Sequence, residues 1–150
     1  YEEIVNKLFG NLINKKITIL GVAFKANTND TRESPSISIS KLLLNEGASL
    51  VFHDPKVTEE KILIDLKEKI PNSLNSFNWS YEKDIYLACK DSHAIIILTE
   101  WEEYKNINWE YIANNMSIPS WVFDTRNILE RDLIEKNGIK YWCLGDGYQN

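Results

Sequence analysis

An open parallel α/β sheet of five to six strands, flanked by helices, is the fold these residues predict. Three observations carry that expectation. Apolar runs alternate with helical patterns along the chain. The runs are mostly continuous rather than alternating, as in strands buried on both faces. The first run ends in a loop from 24 to about 34, longer than the roughly 2–6 residues usual between a strand and a helix. Strands that alternate with helices imply parallel pairing and right-handed crossovers.

The elements follow in order. Ile4, Val5 and Leu8 lie at helical spacing, so residues 1–11 read as the end of a helix entering from upstream of Tyr1, and 12–150 as one domain. The first strand is expected at 17–23, within Ile17-Thr18-Ile19-Leu20-Gly21-Val22-Ala23. A helix at 36–46 carries Ile37, Ile39, Leu42, Leu43 and Leu44. Ser34 is its N-cap, Pro35 its first helical position and Gly47 its stop. A strand at 49–53 leads to Asp54-Pro55. A helix at 58–69 opens on acids and ends before Pro71. The stretch 71–76 reads as a flexible loop, and 77–80 as a weak strand. Helices at 82–89, 109–115 and 130–137 alternate with strands at 94–99, 121–124 and 140–144, and Gly138 stops the last helix.

Composition narrows the function. The chain has 150 residues, 43% hydrophobic and 26% charged, with a net charge of −5. That balance suits one globular domain and argues against general nucleic-acid binding, which wants a basic face. No apolar stretch approaches the ~18 residues that span a bilayer, and residues 1–10 are too charged for a signal peptide. Neither nucleic acid nor membrane is therefore expected as a partner. Cys89 and Cys143 form no metal or disulfide pattern, so both read as core residues in a reducing, cytoplasmic setting.

Chemistry concentrates at strand ends. A long loop at the carboxyl edge of a buried strand is where open α/β sheets hold ligands. Here it carries Lys25 and Arg32, cations suited to a phosphorylated or carboxylated ligand. Lys25 either points into the crevice or is a solvated loop lysine. Arg32 either bridges a ligand phosphate or locks the loop through Asp30 or Glu33. Arg126 leaves another apolar strand at the same edge, where its fork suits a phosphate or a hydroxyl pair; the alternative is a pair with Asp124. The loop lacks G-x-G-x-x-G, with Phe24 and Lys25 standing where glycine would be needed, so it should not hold a dinucleotide pyrophosphate. Asp54 reads as a turn residue. Thr99 reads as a helix cap and Trp101 as packing. His53 and His93 are isolated, and no metal ligand or catalytic residue is assigned.

The segment Gly21, Ala23, Phe24, Lys25, Thr28, Asp30, Arg32, Glu33, Ser34, Pro35 completes a pattern G-x-A-F-K-x-x-T-x-D-x-R-E-S-P. Asp54-Pro55, Ala88-Cys89, His93-Ala94, Thr99-Glu100-Trp101, Phe123-Asp124-Thr125-Arg126-Asn127 and Leu144-Gly145 follow in order. Together they resemble the C-terminal, nucleotide-sugar-binding domain of the UDP-glucose and GDP-mannose dehydrogenase family. The resemblance implies a Rossmann-like sheet in the order 3-2-1-4-5-6. It implies that Phe24, Lys25 and Arg126 bind the UDP-sugar, and that Arg32 reaches an NAD bound mainly by an N-terminal domain. Whole enzymes of the family oxidise the C6 alcohol of a nucleotide sugar to a carboxylate, using two NAD and a cysteine in a central segment. By that likeness this chain is the substrate-binding part, inactive alone, with the N-terminal domain and central helix as partners and a homo-oligomer at full length. Thr99-Glu100-Trp101 and Asp30-Thr31-Arg32 look closest to the UDP-glucose branch. GDP-mannose and UDP-N-acetylmannosamine stay open, as does a non-catalytic nucleotide-binding or oligomerisation module.

Overall fold

A computed structural model describes residues 1–8, 10–69 and 77–145. Helix α1 (Glu2–Lys7) leads to strand β1 (Lys16–Leu20), helix α2 (Pro35–Asn45) and strand β2 (Ser49–His53). Helix α3 (Glu59–Lys69), strand β3 (Trp79–Tyr81) and helix α4 (Ile85–Cys89) follow. Strand β4 (Ala94–Ile97), helices α5 (Glu102–Lys105) and α6 (Trp109–Asn115), strand β5 (Trp121–Asp124), helix α7 (Arg131–Glu135) and strand β6 (Lys140–Cys143) complete the order.

The six strands form one sheet in the order β3-β2-β1-β4-β5-β6, and every pair is parallel. The expected class and strand order are both present. Ile19 stands opposite Phe52 on one side and Ile96 on the other, which fixes the central register. Strands β4 and β5 are buried at every position, whereas the edge strands β3 and β6 are only partly so. This is why the inner runs read as continuous hydrophobics. Each fully buried Leu, Ile or Phe contributes about 1.5–3 kcal/mol. The core therefore centres on Ile17, Ile19, Leu20, Ile95, Ile96 and Phe123. Ile4, Leu8 and Leu12 are buried in the same core, so α1 packs with the sheet.

Local chemistry sets the helix starts. Ser34 caps α2, accepting from the Ser36 amide, with Pro35 at the first turn. Asp84 caps α4, accepting from the amides of Tyr86 and Leu87 at 2.8 and 3.0 Å. Asn108 caps α6 through the Tyr111 amide at 3.0 Å. The first strand stops at Leu20, three residues short of the expected Ala23, because the chain turns at Gly21 with φ of 97°. Helix α5, four residues long, had no counterpart in the expected elements. Trp101 occupies its N-cap position and Thr99 does not cap it. The expected flexible loop at 71–76 lies outside the described residues.

Candidate functional site

The strand order reverses between β1 and β4, and open α/β sheets bind ligands in the crevice at that reversal. The chain leaving β1 passes directly over it. Gly21 sits so close to β4 that a Cβ there would lie 2.4 Å from Cβ of Thr99 and 2.7 Å from its amide nitrogen. From this point the backbone has no strand beside it, yet its polar groups are all engaged from Val22 to Phe24. The amides of Val22 and Ala23 donate to Oδ2 of Asp54 at 2.7 and 3.0 Å. The carbonyl of Val22 accepts from the Ser36 hydroxyl at 2.9 Å, and that of Ala23 from the Thr99 hydroxyl at 2.6 Å. The Phe24 amide donates to the Asp30 carbonyl at 2.7 Å, and the Phe24 carbonyl accepts from Nη2 of Arg126 at 3.3 Å. Side chains from the turn after β2, the start of α2 and the ends of β4 and β5 thus form a collar around three residues.

Arg126 is the keystone on the β5 side. Its Nε donates to the Leu98 carbonyl at 2.8 Å and lies 3.3 Å from Oε2 of Glu100. Its own amide donates to Oδ1 of Asp124 at 3.0 Å. The fully buried Asp124 also accepts from the amides of Ile128 and Leu129, both at 2.9 Å, and from the Tyr141 hydroxyl at 3.0 Å. The tie from Arg126 to Asp124 therefore runs through backbone, while the guanidinium reaches across to the β1 and β4 loops. Phe24 and Arg126 come together at one edge. Lys25 follows on the same loop, exposed and without a hydrogen-bond or ion-pair partner among the described residues.

Arg32 stands apart. Its guanidinium chelates Asp30, with Nη2 2.7 Å from Oδ2 and Nε 3.0 Å from Oδ1. The Arg32 bonds hold the Asp30 carboxyl at about 2, well below the usual carboxylate range. The side chain of Arg32 is nonetheless 85% exposed. Two clefts open along this edge. One, about 600 Å³, lies between α1 and the ends of β4, β5 and β6, and Arg126, Thr125, Phe123 and Trp142 line it. The other, about 520 Å³, lies beside Arg32, Lys56, Thr58 and Lys61. Arg126 and Arg32 therefore line different clefts.

A dinucleotide does not fit the turn after β1. The space at Gly21 is filled by Thr99 instead of being left for a pyrophosphate, and Val22, Ala23, Phe24 and Lys25 supply no second glycine. The cysteines and histidines are engaged within the fold. Burial pushes the Cys89 thiol up to about 12, and its side chain lies in the core. Cys143 is also buried, with Sγ 3.4 Å from Oδ1 of Asn127. His93 accepts from the Lys16 amide at 3.1 Å. His53 is buried against the Tyr104 hydroxyl, 3.1 Å away, and burial lowers its pKa. The folded state thus favours neutral imidazole. Its stabilising share is full above about 6.5, the unfolded value, and is lost as pH falls through the lower folded value. Melting temperatures of the parent should fall from pH 7 to pH 5, and His53→Gln should flatten that fall. An equally steep fall in the variant would remove His53 as its source.

The sequence assigns no role to Glu100, takes Thr99 as a helix cap where its hydroxyl instead holds the Ala23 carbonyl, and gives Asp54 only its own turn. The turn is present, with Oδ1 accepting from the amides of Lys56 and Val57 at 2.8 and 2.9 Å. The signal that went unused is the placement of Asp54 and Asp124, each at the carboxyl end of an apolar run.

Residues 18–131 match the model of the UDP-glucose/GDP-mannose dehydrogenase family, UDP binding domain. The chain is 39% identical over 159 residues to UDP-glucose 6-dehydrogenase 3 of Arabidopsis thaliana, covering 95% of this chain and 32% of that protein. It is 43% identical over 129 residues to UDP-glucose 6-dehydrogenase of Gallus gallus, covering 85% and 26%. The chain thus spans about a third or less of the curated relatives it matches. Among solved structures, a UDP-D-ManNAc dehydrogenase from Pyrococcus horikoshii superposes with a TM-score of 0.72 at 24% identity, covering 97% of this chain and 29% of that one. An NDP-N-acetyl-D-galactosaminuronic acid dehydrogenase from Methanosarcina mazei gives 0.75 at 22%, covering 96% and 27%. These two likenesses show the fold.

Proposed function

Since the chain belongs to the UDP-glucose/GDP-mannose dehydrogenase family through its UDP-binding domain, we propose that it holds the nucleotide sugar for an NAD-dependent 6-dehydrogenase, with UDP-glucose as substrate. The observation that carries this reading is the 3.3 Å bond from Arg126 to the Phe24 carbonyl, which joins two positions of the family pattern beside the 600 Å³ cleft. The guanidinium fixes the loop from which Lys25 projects, and Lys25, which has no partner among the described residues, supplies a cation for a phosphate. The relatives' names, UDP-glucose 6-dehydrogenase, favour that sugar over GDP-mannose.

In this proposal residues 12–150 form the binding domain, and residues 1–11, which carry helix α1 (Glu2–Lys7), belong to the connection with the rest of the enzyme. NAD is held mainly by another domain, in keeping with the filled turn at Gly21. Arg32 keeps its exposed guanidinium edge toward that cofactor while Asp30 holds the other. The domain orients substrate over chemistry supplied elsewhere, so NADH formation from UDP-glucose is expected of the complete oligomeric enzyme and not of this chain alone.

Calorimetric titration of the complete enzyme with UDP-glucose and with GDP-mannose tests the substrate. Lys25→Ala should weaken UDP-glucose binding roughly ten- to a hundredfold, the value of one charge-assisted bond at about 1.5–3 kcal/mol. Its melting temperature should match the parent, because the side chain is exposed. Parent-like affinity in a folded Lys25→Ala protein would remove Lys25 from the site.

A further inference from the structure

We infer that Asp54 is a positioning residue of the nucleotide-sugar site, setting the backbone from which Phe24 and Lys25 leave the sheet. This rests on the UDP-binding reading above and adds to it a residue that never touches the ligand.

The two carboxylate oxygens have separate tasks. Oδ1 accepts from the amides of Lys56 and Val57, which closes the turn after β2. A turn aspartate needs nothing more. Oδ2 reaches 31 and 32 residues back along the chain, to the amides of Ala23 and Val22. It also accepts from Nε1 of Trp101 at 3.3 Å, which ties the β4 exit into the same oxygen. Asp54 is 2% exposed, and five N–H donors converge on it. A carboxylate has about four lone-pair sites, so none is left for a proton or a ribose hydroxyl. That excludes both a general base and the ribose-binding acid of a dinucleotide site. What Oδ2 does is hold two consecutive amides in line, one residue before Phe24. The carbonyls of the same two residues are held from Ser36 and Thr99, so the path of the chain into Phe24 is fixed on both sides.

Asparagine separates the two tasks. Its carbonyl can keep the bonds to Lys56 and Val57, and its amide group then faces the Val22 and Ala23 amides, donor against donor. In the complete enzyme, Asp54→Asn should raise KM for UDP-glucose tenfold or more, with kcat within about twofold of the parent. Lost binding of substrate and transition state alike has that pattern, whereas a smaller folded fraction lowers kcat and leaves KM alone. Amide hydrogen exchange should speed up at Val22 and Ala23 and stay slow at Lys56 and Val57. Ile134→Ala, a buried core change in α7, should lower the melting temperature and leave KM at the parent value.

A parent-like KM in Asp54→Asn overturns the inference. So does equal loss of protection at all four amides, which would mean turn and loop melt together, or a tenfold KM rise in Ile134→Ala, which would make KM a readout of stability. Each of these requires a parent that binds UDP-glucose. A parent that takes no nucleotide sugar overturns the functional reading instead, and the assigned site with it.

Discussion

Gly21→Ala is expected to destabilise the domain by about 3 kcal/mol or more. Crowding atoms into a packed site costs about 1–3 kcal/mol, and a Cβ in the left-handed region adds about 1–2. Both apply here, since φ is 97° and the new Cβ would lie 2.4 Å from Cβ of Thr99. For a domain of this size, 3 kcal/mol lowers the melting temperature by roughly 6–12 °C. Thr99→Ala should not rescue the variant. Alanine keeps the Cβ and the backbone nitrogen that make the 2.4 and 2.7 Å contacts, and it removes the hydroxyl that holds the Ala23 carbonyl. A Gly21→Ala melt within 2 °C of the parent would show that β1 and β4 can separate at that level, and the collar would lose its anchor.

Asp124→Ala is expected to cost about as much, and to weaken ligand binding as well. Three amides and the Tyr141 hydroxyl lose their shared acceptor. A charge-assisted bond is worth about 1.5–3 kcal/mol, and a buried donor left unsatisfied costs about 1–3. Water entering the space left behind offsets part of this, leaving an expected loss of about 3–5 kcal/mol by denaturant unfolding. Tyr141→Phe removes one of the four bonds and should cost about 1 kcal/mol. Arg126 is tethered through its amide, so its guanidinium should shift in Asp124→Ala and UDP-glucose affinity should fall with stability. An Asp124→Ala protein as stable as the parent would mean those amides have other acceptors.

The fold was legible because its determinants are local and periodic. The continuous runs around Ile19, Ile96 and Phe123 marked strands buried on both faces, and Ser34-Pro35 marked the start of α2 within one residue. The strand ends were overrun, since Val22 and Ala23 are as apolar as the strand before them. The left-handed turn at Gly21 and its close contact with Thr99 show why the ladder stops there. Helix α5 went unread because four residues are too few for a period to register. At the site, the family pattern selected Phe24, Lys25 and Arg126, and the structure brings the backbone of the first to the guanidinium of the last. The alternative reading of Arg32, as the partner of Asp30, is the geometry observed. Its signal was local, two residues apart. The reach of Asp54 to Val22 and of Arg126 to Phe24 spans 32 and 102 residues, and no pattern in a short window reports contacts that long.

Those spans also govern when the site exists during folding. The collar joins Val22 to Asp54, Ala23 to Thr99 and Phe24 to Arg126. No stretch of chain shorter than 22–126 contains all three links. Each closes a large loop, whose entropy is lost before the bond returns anything. A nascent or partly unfolded chain that has paired only β1 and β2 has one link and no defined exit for Lys25. On the proposed reading, ligand capture is therefore expected late on the folding path. A ligand that binds only the finished collar draws its stabilisation from the whole cooperative unit, so it should slow global opening of all six strands and not of the loop alone.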